Sequence, residues 1–378
     1  MEFTEGLYGF GLPFLIILTI LVFVHELGHY WVARRCGVRV EVFSVGFGPE
    51  LFGFNDAHGT RWKFSLVPLG GYVKMFGDAN AASMPDGQAV AFSEAEKKEA
   101  FQYKTLAQRS WIVAAGPLVN FLFAILVFSG LFSTLGQPFS PPIVGAVVPD
   151  SPAAAAGFEA GDRIVAIDNS DIERFEDLLR IVSLHPEQEM QFSVERDGAT
   201  VTFPATPARV VADDGLGNEQ EIGRLGIQGG AMEFVQYNLP TAIWRATKET
   251  VEISGTTLQA VYQIITGQRS FRELGGPLRI AQMSGQVAER GVVPAIILMA
   301  ILSINLGLIN LFPIPMLDGG HLLFYAIEGV RGGRPLGERA QEYGFRIGLA
   351  LVMTLIAVVT WNDLVHIDIV DFVMGLAG

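Results

Sequence analysis

Residues 14–29 read Phe14-Leu15-Ile16-Ile17-Leu18-Thr19-Ile20-Leu21-Val22-Phe23-Val24-His25-Glu26-Leu27-Gly28-His29, an apolar run that ends in three ionisable side chains. Apolar character extends from about Leu7 to Val32, enough for a helix to cross a hydrocarbon layer of about 30 Å. A helix turns about 100° per residue, so His25 and His29 share one face, about 6 Å apart along the axis. Two neutral imidazoles so placed can both reach one zinc ion, and Glu26 is left beside them as general base for a water. In a soluble helix so short a pattern is weak. Near a bilayer centre a carboxylate costs roughly 2.5–3.5 kcal/mol on insertion scales, so three ionisable groups need a partner or a task. A metal centre meets that need better than a satisfied histidine pair.

The rest of the composition agrees with a membrane protein. Of 378 residues, 50% are hydrophobic and 17% charged, with a mean hydropathy of +0.37. A formal net charge of −13 and the lack of a basic stripe exclude a nucleic-acid binder. Cys36 is the one cysteine, so an intramolecular disulfide, a cysteine-based zinc site and an iron–sulfur cluster are excluded. Just past the first apolar run and without a recognisable partner, it reads as an inert thiol. Glu2 and Glu5 stand where a signal peptide has its basic leader, and the apolar run is too long for one.

Four segments can span a bilayer: about Leu7–Val32, Ser110–Leu135, Val292–Phe312 and Phe345–Val365. Residues 1–33 and the tail after Trp361 carry neither lysine nor arginine. The first loop holds ten, from Arg34 to Arg109, and the loop between the third and fourth spans holds Arg331, Arg334 and Arg339. The positive-inside rule puts both loops in the cytoplasm, with both termini and the middle loop 137–290 outside. The expected fold is a polytopic α-helical membrane protein: four transmembrane helices, membrane-associated β-hairpins, and an inserted extracytoplasmic α+β domain. Its expected segments are 1–35, 36–109, 110–136, 137–230, 231–290, 291–344 and 345–378.

Within the first loop, residues 42–49 and 62–75 are β-prone, aromatic and punctuated by Gly46, Gly48, Gly70 and Gly71. They read as hairpins on or dipping into the membrane near the His-Glu helix, with edges able to pair with an extended peptide. A small sheet that merely plugs the membrane domain is the plainer reading of the same residues. Residues 78–100 read as a mobile polar loop. In the middle loop, strand Val144–Val148, Ser151-Pro152-Ala153 through Ala156-Gly157, Gly161-Asp162-Arg163-Ile164, a helical stretch Phe175–Leu184 and a hairpin around Asp197-Gly198 follow in order. That run resembles a bacterial PDZ domain, which implies a groove for a peptide terminus or loop. Leu225-Gly226-Ile227 could be its last strand or a carboxylate-cradling turn. Residues 239–268 are amphipathic and read as an interfacial helix leading to the third span. Gly275-Gly276-Pro277 is no phosphate loop, because no P-loop lysine accompanies it.

Two histidines leave a catalytic zinc one protein ligand short. Candidates follow the third span in Pro313-Ile314-Pro315-Met316-Leu317-Asp318-Gly319-Gly320-His321, where Asp318 and His321 are both possible ligands. The topology sets this stretch and the His-Glu helix end at a similar depth. Taken in order, His25-Glu26-Leu27-Gly28-His29, Gly46-Phe47-Gly48, the run from Pro68 to Lys74, Gly116-Pro117-x-x-Asn120-Phe121, the inserted module and the run from Asn310 to His321 resemble the bacterial site-2 proteases of the RseP type over essentially the whole chain. The resemblance implies an inner-membrane zinc protease with His25, His29 and Asp318 as zinc ligands and Glu26 as base. It also implies that Asn310, Pro313 and Pro315 hold the substrate. Implied substrates are single-span membrane proteins, such as anti-sigma factors and remnant signal peptides. One PDZ-like module is present where enterobacterial relatives have two. A metal transporter or metal-gated channel, and a non-catalytic PDZ scaffold, are the rival readings; the single site at one membrane face and the intact His-Glu-x-x-His disfavour them.

Overall fold

The computed structural model describes residues 7–77, 92–168, 170–213, 219–231, 233–267 and 275–366. The chain divides into two compact units, Met1–Ser129 with Ile243–Gly378, and Gly130–Ala242. Among the described residues, four helices, all in or starting in the first unit, are long and apolar enough to cross a membrane: Gly9–Arg35, Leu106–Thr134, Val292–Leu311 and Arg339–Leu364.

In the first unit, helix α1 (Leu12–Arg35) starts with Pro13 in its first turn and ends at Arg34 and Arg35, the preferred charge for a helix C-terminus. Strands β1 (Val40–Asn55) and β2 (Arg61–Met75) follow. The two β-prone stretches are thus not separate hairpins. Val42–Val45 pair with Gly71–Lys74 on one side and with Arg61–Phe64 on the other, and Arg61–Ser65 pair in turn with Glu50–Asn55. Each long strand bends, β1 near Gly46 and Gly48 and β2 near Gly70, all at positive φ. The result is four segments side by side, antiparallel in the two outer pairings and parallel in the central one between Val42–Val45 and Arg61–Phe64. Val40, Phe43, Val45, Val73 and Met75 pack with Ala33, Ile112 and Val113 in one core, whereas Phe47, Leu51, Phe52, Phe54 and Leu66 are exposed.

The turn of this sheet is tied to α1. Asp56 accepts hydrogen bonds from the Tyr30 hydroxyl at 2.8 Å and the Trp62 indole at 3.1 Å, and from the His58 and Thr60 backbone. Burial works against its charge, but these four donors outweigh it and hold the carboxyl well below the usual carboxylate range. Of the expected loop 78–100, residues 78–91 lie outside the described residues. Glu94–Glu99 form a short helix, α2, whose Ser93 and Glu96 make a reciprocal cap.

Helix α3 (Leu106–Thr134) is the second span and begins four residues before the expected Ser110. Helices α6 (Leu239–Ile265), α7 (Pro277–Glu289), α8 (Val292–Leu311), α9 (Asp318–Val330) and α10 (Glu338–His366) complete the unit. α6 occupies the amphipathic stretch, and Thr257 donates to Asn305 of α8 at 3.1 Å, which brings it against the third span. α7 is a helix the sequence reading did not anticipate. Its N-terminal amides, Gly276, Leu278 and Arg279, donate to the Asp363 carboxylate of α10 at 2.8–3.2 Å. A side chain at Gly276 would collide with that carboxylate, which explains the glycine. α10 starts seven residues before the expected Phe345, and the exposed Arg346–Glu342 pair at 2.6 Å lies along this polar extension.

The second unit contains β3 (Gln137–Phe139), β4 (Val144–Val147), α4 (Pro152–Ala156), β5 (Arg163–Ile167), β6 (Ser170–Asp171), α5 (Phe175–Leu184), β7 (Met190–Arg196), β8 (Ala199–Ala205), β9 (Ala208–Asp213), β10 (Glu219–Arg224), β11 (Ile227–Gly229) and β12 (Glu233–Val235). One antiparallel sheet runs β6-β5-β7-β8, and β4–β11, β3–β12 and β9–β10 form pairs. Ile164, Ile167, Leu178, Phe192 and Val194 fill its core. Ile227 opens β11, which pairs with β4, while Gly226 turns at a φ of 83°. Ile227 thus belongs to a strand, though not the final one, since β12 follows it.

Beside that core, Asp162 is 1% exposed and receives two hydrogen bonds from Arg196 at 2.6 Å and one from the Glu159 amide. Burial alone would push this carboxyl up; the guanidinium and amide donors win and hold it below its ordinary value. Its contribution to stability is therefore complete above the unfolded-state value of about 3.9 and declines as pH falls through the lower folded-state value. Arg196→Met strands the buried charge and should cost about 3–5 kcal/mol at neutral pH. Hydrogen exchange of β5 and β7 in the full chain, corrected for intrinsic rates, reads this. Protection should fall in Arg196→Met at pH 7 and the gap to wild type should narrow towards pH 3; equal protection at pH 7 contradicts the assignment.

Candidate metal centre

The metal helix and the second span meet without spacers. A side chain at Gly28 of α1 would collide with the backbone of Ala115 and with Gly116 of α3. Likewise, a methyl at Gly116 would overlap His29 Nε2 and lie 2.8 Å from His25 Cε1. Pro117 inside α3 lacks an N–H and removes one rung of the helix ladder one turn after Val113. Facing that stretch, His29 Nδ1 lies 2.9 Å from the Ile112 carbonyl. His25 Nδ1 lies 3.1 Å from the side-chain amide of Asn120, which is fully buried.

The opposite ring nitrogens converge. His25 Nε2 and His29 Nε2 are 3.2 Å apart, and Asp318 Oδ2 lies 3.2 Å from the first and 3.5 Å from the second. These donor atoms all fall within 4.8 Å of one another. Asp318 Oδ2 is buried and has hydrogen-bond geometry to neither ring. Two imidazole lone pairs and a carboxylate oxygen aimed at one point, with that oxygen otherwise unpartnered, fit a divalent cation and suit zinc by donor type. His321 is outside this cluster; its ring packs on Phe345 with centroids 5.4 Å apart.

Asp318 is delivered by a tight connection after α8. Leu317 N–H bonds the Ile314 carbonyl at 3.0 Å, and Met316 adopts a φ of 97°, a region side chains seldom occupy. Gly319 and Gly320 press on the carbonyls of Leu311, Phe312 and Ile314, where a methyl would not fit. Asp318 is the first residue of α9, so its charge lies at the favourable end of the helix dipole. Further along α9, Glu328 pairs with Arg109 of α3 at 2.6 Å, and Arg109 also lies over the Tyr325 ring. That buried pair fastens the aspartate's helix to the second span.

Glu26 faces the sheet. The Val73 amide reaches its carboxylate, and a side chain at Gly71 would come within 3.2 Å of Glu26 Cγ and 2.8 Å of Val22 Cγ1. The segment carrying Gly70 and Gly71 therefore borders the metal helix directly. Gly46 and Gly48 lie at the bend of β1, with φ of 91° and 86°, and Gly70 sits under the Phe47 ring. Asn310 donates back to the Leu306 carbonyl of its own helix at 3.0 Å. Pro313 and Pro315 flank the turn that leads to Asp318. Three contacts escaped the sequence reading: Asn120 on His25, Arg109 with Glu328, and Asp56 with Tyr30. Asn120 could have been suspected as a polar residue inside an apolar span; the other two join residues too far apart in sequence to be paired by inspection.

Comparison with known proteins supplies the class. The profile described as Peptidase family M50 matches residues 13–355. A protein of Agrobacterium fabrum, provisionally named a zinc metalloprotease, is 45% identical over 369 residues, covering 96% of this chain and 98% of its own. One from Rhizobium meliloti with the same kind of name is 46% identical over 356 residues, 93% and 95% of the two chains. Metalloprotease MmpA of Caulobacter vibrioides is 39% identical over 388 residues, 96% and 97%. With four membrane-length helices and a buried cluster of zinc-type donors already in hand, the chain belongs to peptidase family M50, the site-2 proteases, and is a membrane zinc metalloprotease.

Proposed function

We propose that the chain cleaves transmembrane segments of single-span proteins with a zinc ion held by His25, His29 and Asp318 and with Glu26 as general base. The convergence of the three donor atoms beside Glu26 carries this reading. Zinc there would polarise the scissile carbonyl and lower the pKa of water from about 15.7 towards about 7. Glu26 takes the proton of the attacking water at its carboxylate and returns it to the leaving amine. The Val73 amide on that carboxylate holds it in place between uses.

A helical substrate must unwind before its carbonyl is accessible. Among the described residues, the edge segment Gly71–Lys74 pairs with β1 on one side only, and it borders Glu26. An extended peptide added to its other side would lie along the metal helix. In this reading Gly70 and Gly71 let the edge segment lie close against Phe47 and the helix that carries Glu26, Gly46 and Gly48 shape the bend behind them, and Asn310 with Pro313 and Pro315 lines the approach from the Asp318 side. The exposed aromatic half of the sheet, including Phe52 and Phe54, suits contact with lipid.

The second unit acts as a PDZ-like module outside the cytoplasmic membrane, where its groove takes a peptide terminus or loop and admits only trimmed substrates. The lysine and arginine distribution supports cytoplasmic placement of the metal end and extracytoplasmic termini. Anti-sigma factors and remnant signal peptides are the substrates this arrangement fits.

Glu26→Gln should retain one zinc per chain yet lose cleavage of a model transmembrane peptide by at least about 100-fold, the scale of a lost general base. Robust cleavage by the zinc-loaded variant contradicts the role. Gly116→Ala should weaken zinc binding by about tenfold or more, as a displaced ligand does, because its methyl lands on His29 Nε2. Zinc affinity measured by chelator competition checks this, and a wild-type value argues against the proposed site.

A further inference from the structure

The side chain of Asn120 has no role in the chemistry above, yet it is completely buried in an apolar span and aims at a proposed ligand. We infer that Asn120 is a positioning residue whose carbonyl oxygen accepts the Nδ1–H of His25, fixing the ring so that Nε2 keeps its lone pair for the metal.

The coordinates place the amide nitrogen of Asn120 3.1 Å from His25 Nδ1 and leave its Oδ1 buried without a partner. The two ends of an asparagine amide are interchangeable in shape, and the surrounding hydrogen bonds decide between them. If Nδ2 donates, His25 Nδ1 must be the bare nitrogen and the ring proton sits on Nε2. That proton would then point into the cluster with His29 Nε2 and Asp318 Oδ2, and His25 could not ligate through that atom. Turned over, the amide offers Oδ1 to Nδ1–H and frees Nε2. Either orientation leaves one amide atom without a partner, so the histidine decides.

The neighbouring ring supports the same arrangement. His29 Nδ1 lies 2.9 Å from the Ile112 carbonyl, an acceptor that cannot donate. Its proton is therefore on Nδ1 and its Nε2 is bare. Ile112, Gly116 and Asn120 are four residues apart on one face of α3. That face presents an acceptor, a gap and an acceptor to His29 and His25 in turn. Asn120 is itself anchored, since Ser303 of α8 donates to its backbone carbonyl at 2.9 Å. One stripe of the second span thus sets the tautomer and tilt of both rings. Such outer partners of metal-bound histidines usually accept the far ring proton.

The inference rests on the proposed ligand set, and the test separates the two. Zinc affinity of the full chain in detergent is measured by competition with a chelator of known affinity, for wild type, Asn120→Leu and Asn120→Asp. Wild type without zinc affinity sinks the ligand set itself. With wild type binding, Asn120→Leu, which fills the volume but accepts nothing, should weaken zinc about 10–100-fold. Asn120→Asp keeps the acceptor and removes the donor, and should bind within about threefold of wild type or tighter, as carboxylate–histidine–metal arrangements do. A wild-type affinity for Asn120→Leu, or an Asn120→Asp as weak as Asn120→Leu, overturns the inference. Thermal unfolding of the metal-free forms checks that the variants fold. Should one fail, 15N spectra of histidine-labelled, zinc-loaded wild type decide: the His25 ring proton belongs on Nδ1, and a proton on Nε2 overturns the inference.

Discussion

Charge and polarity inside an apolar layer are the constraint from which the rest of this structure follows. His25, Glu26 and His29 lie in a helix whose other faces carry apolar side chains, and Asp318 brings a fourth ionisable group to the same point. Each would be costly alone. Their mutual placement offsets that cost if they share the proposed cation, and the surrounding packing holds that placement. Gly28 and Gly116 let the two helices touch, the turn through Pro313 and Pro315 aims Asp318, and the Arg109–Glu328 pair keeps its helix from drifting.

The sheet is the second consequence. The proposed action on a helical segment needs something that prefers an extended strand, and the edge beside Glu26 offers that preference. Asp56 anchors the sheet to Tyr30, a residue of the metal helix itself. Any tilt of the sheet is thereby transmitted to the helix that carries the proposed base and two proposed ligands.

Much of this was legible in the amino-acid order. Four apolar runs give the spans, and the spacing of His25 and His29 needs only helix geometry. Asp318 could be picked out as a candidate beside His321, but the preference between them depended on family resemblance; in the fold Asp318 lies beside the two histidines and His321 packs on Phe345. The doubling of the sheet was not legible: alternation marks a strand but does not say that Val42–Val45 has partners on both sides, which depends on bends at Gly46, Gly48 and Gly70. Helix α7 was hidden because its cap, Asp363, lies 85 residues from the Leu278 amide it accepts. For the same reason the partner of Asn120 was not legible, because only the fold shows that it meets His25, 95 positions away.

X-ray absorption at the zinc edge, on the full-length protein in detergent, tests the central claim most directly. The account predicts one zinc per chain with nitrogen and oxygen neighbours only, at about 2.0–2.2 Å, the multiple scattering of two imidazoles, and an altered shell in Asp318→Ala. A sulfur neighbour near about 2.3 Å, which would implicate Cys36, or a zinc shell unchanged by Asp318→Ala, would contradict it.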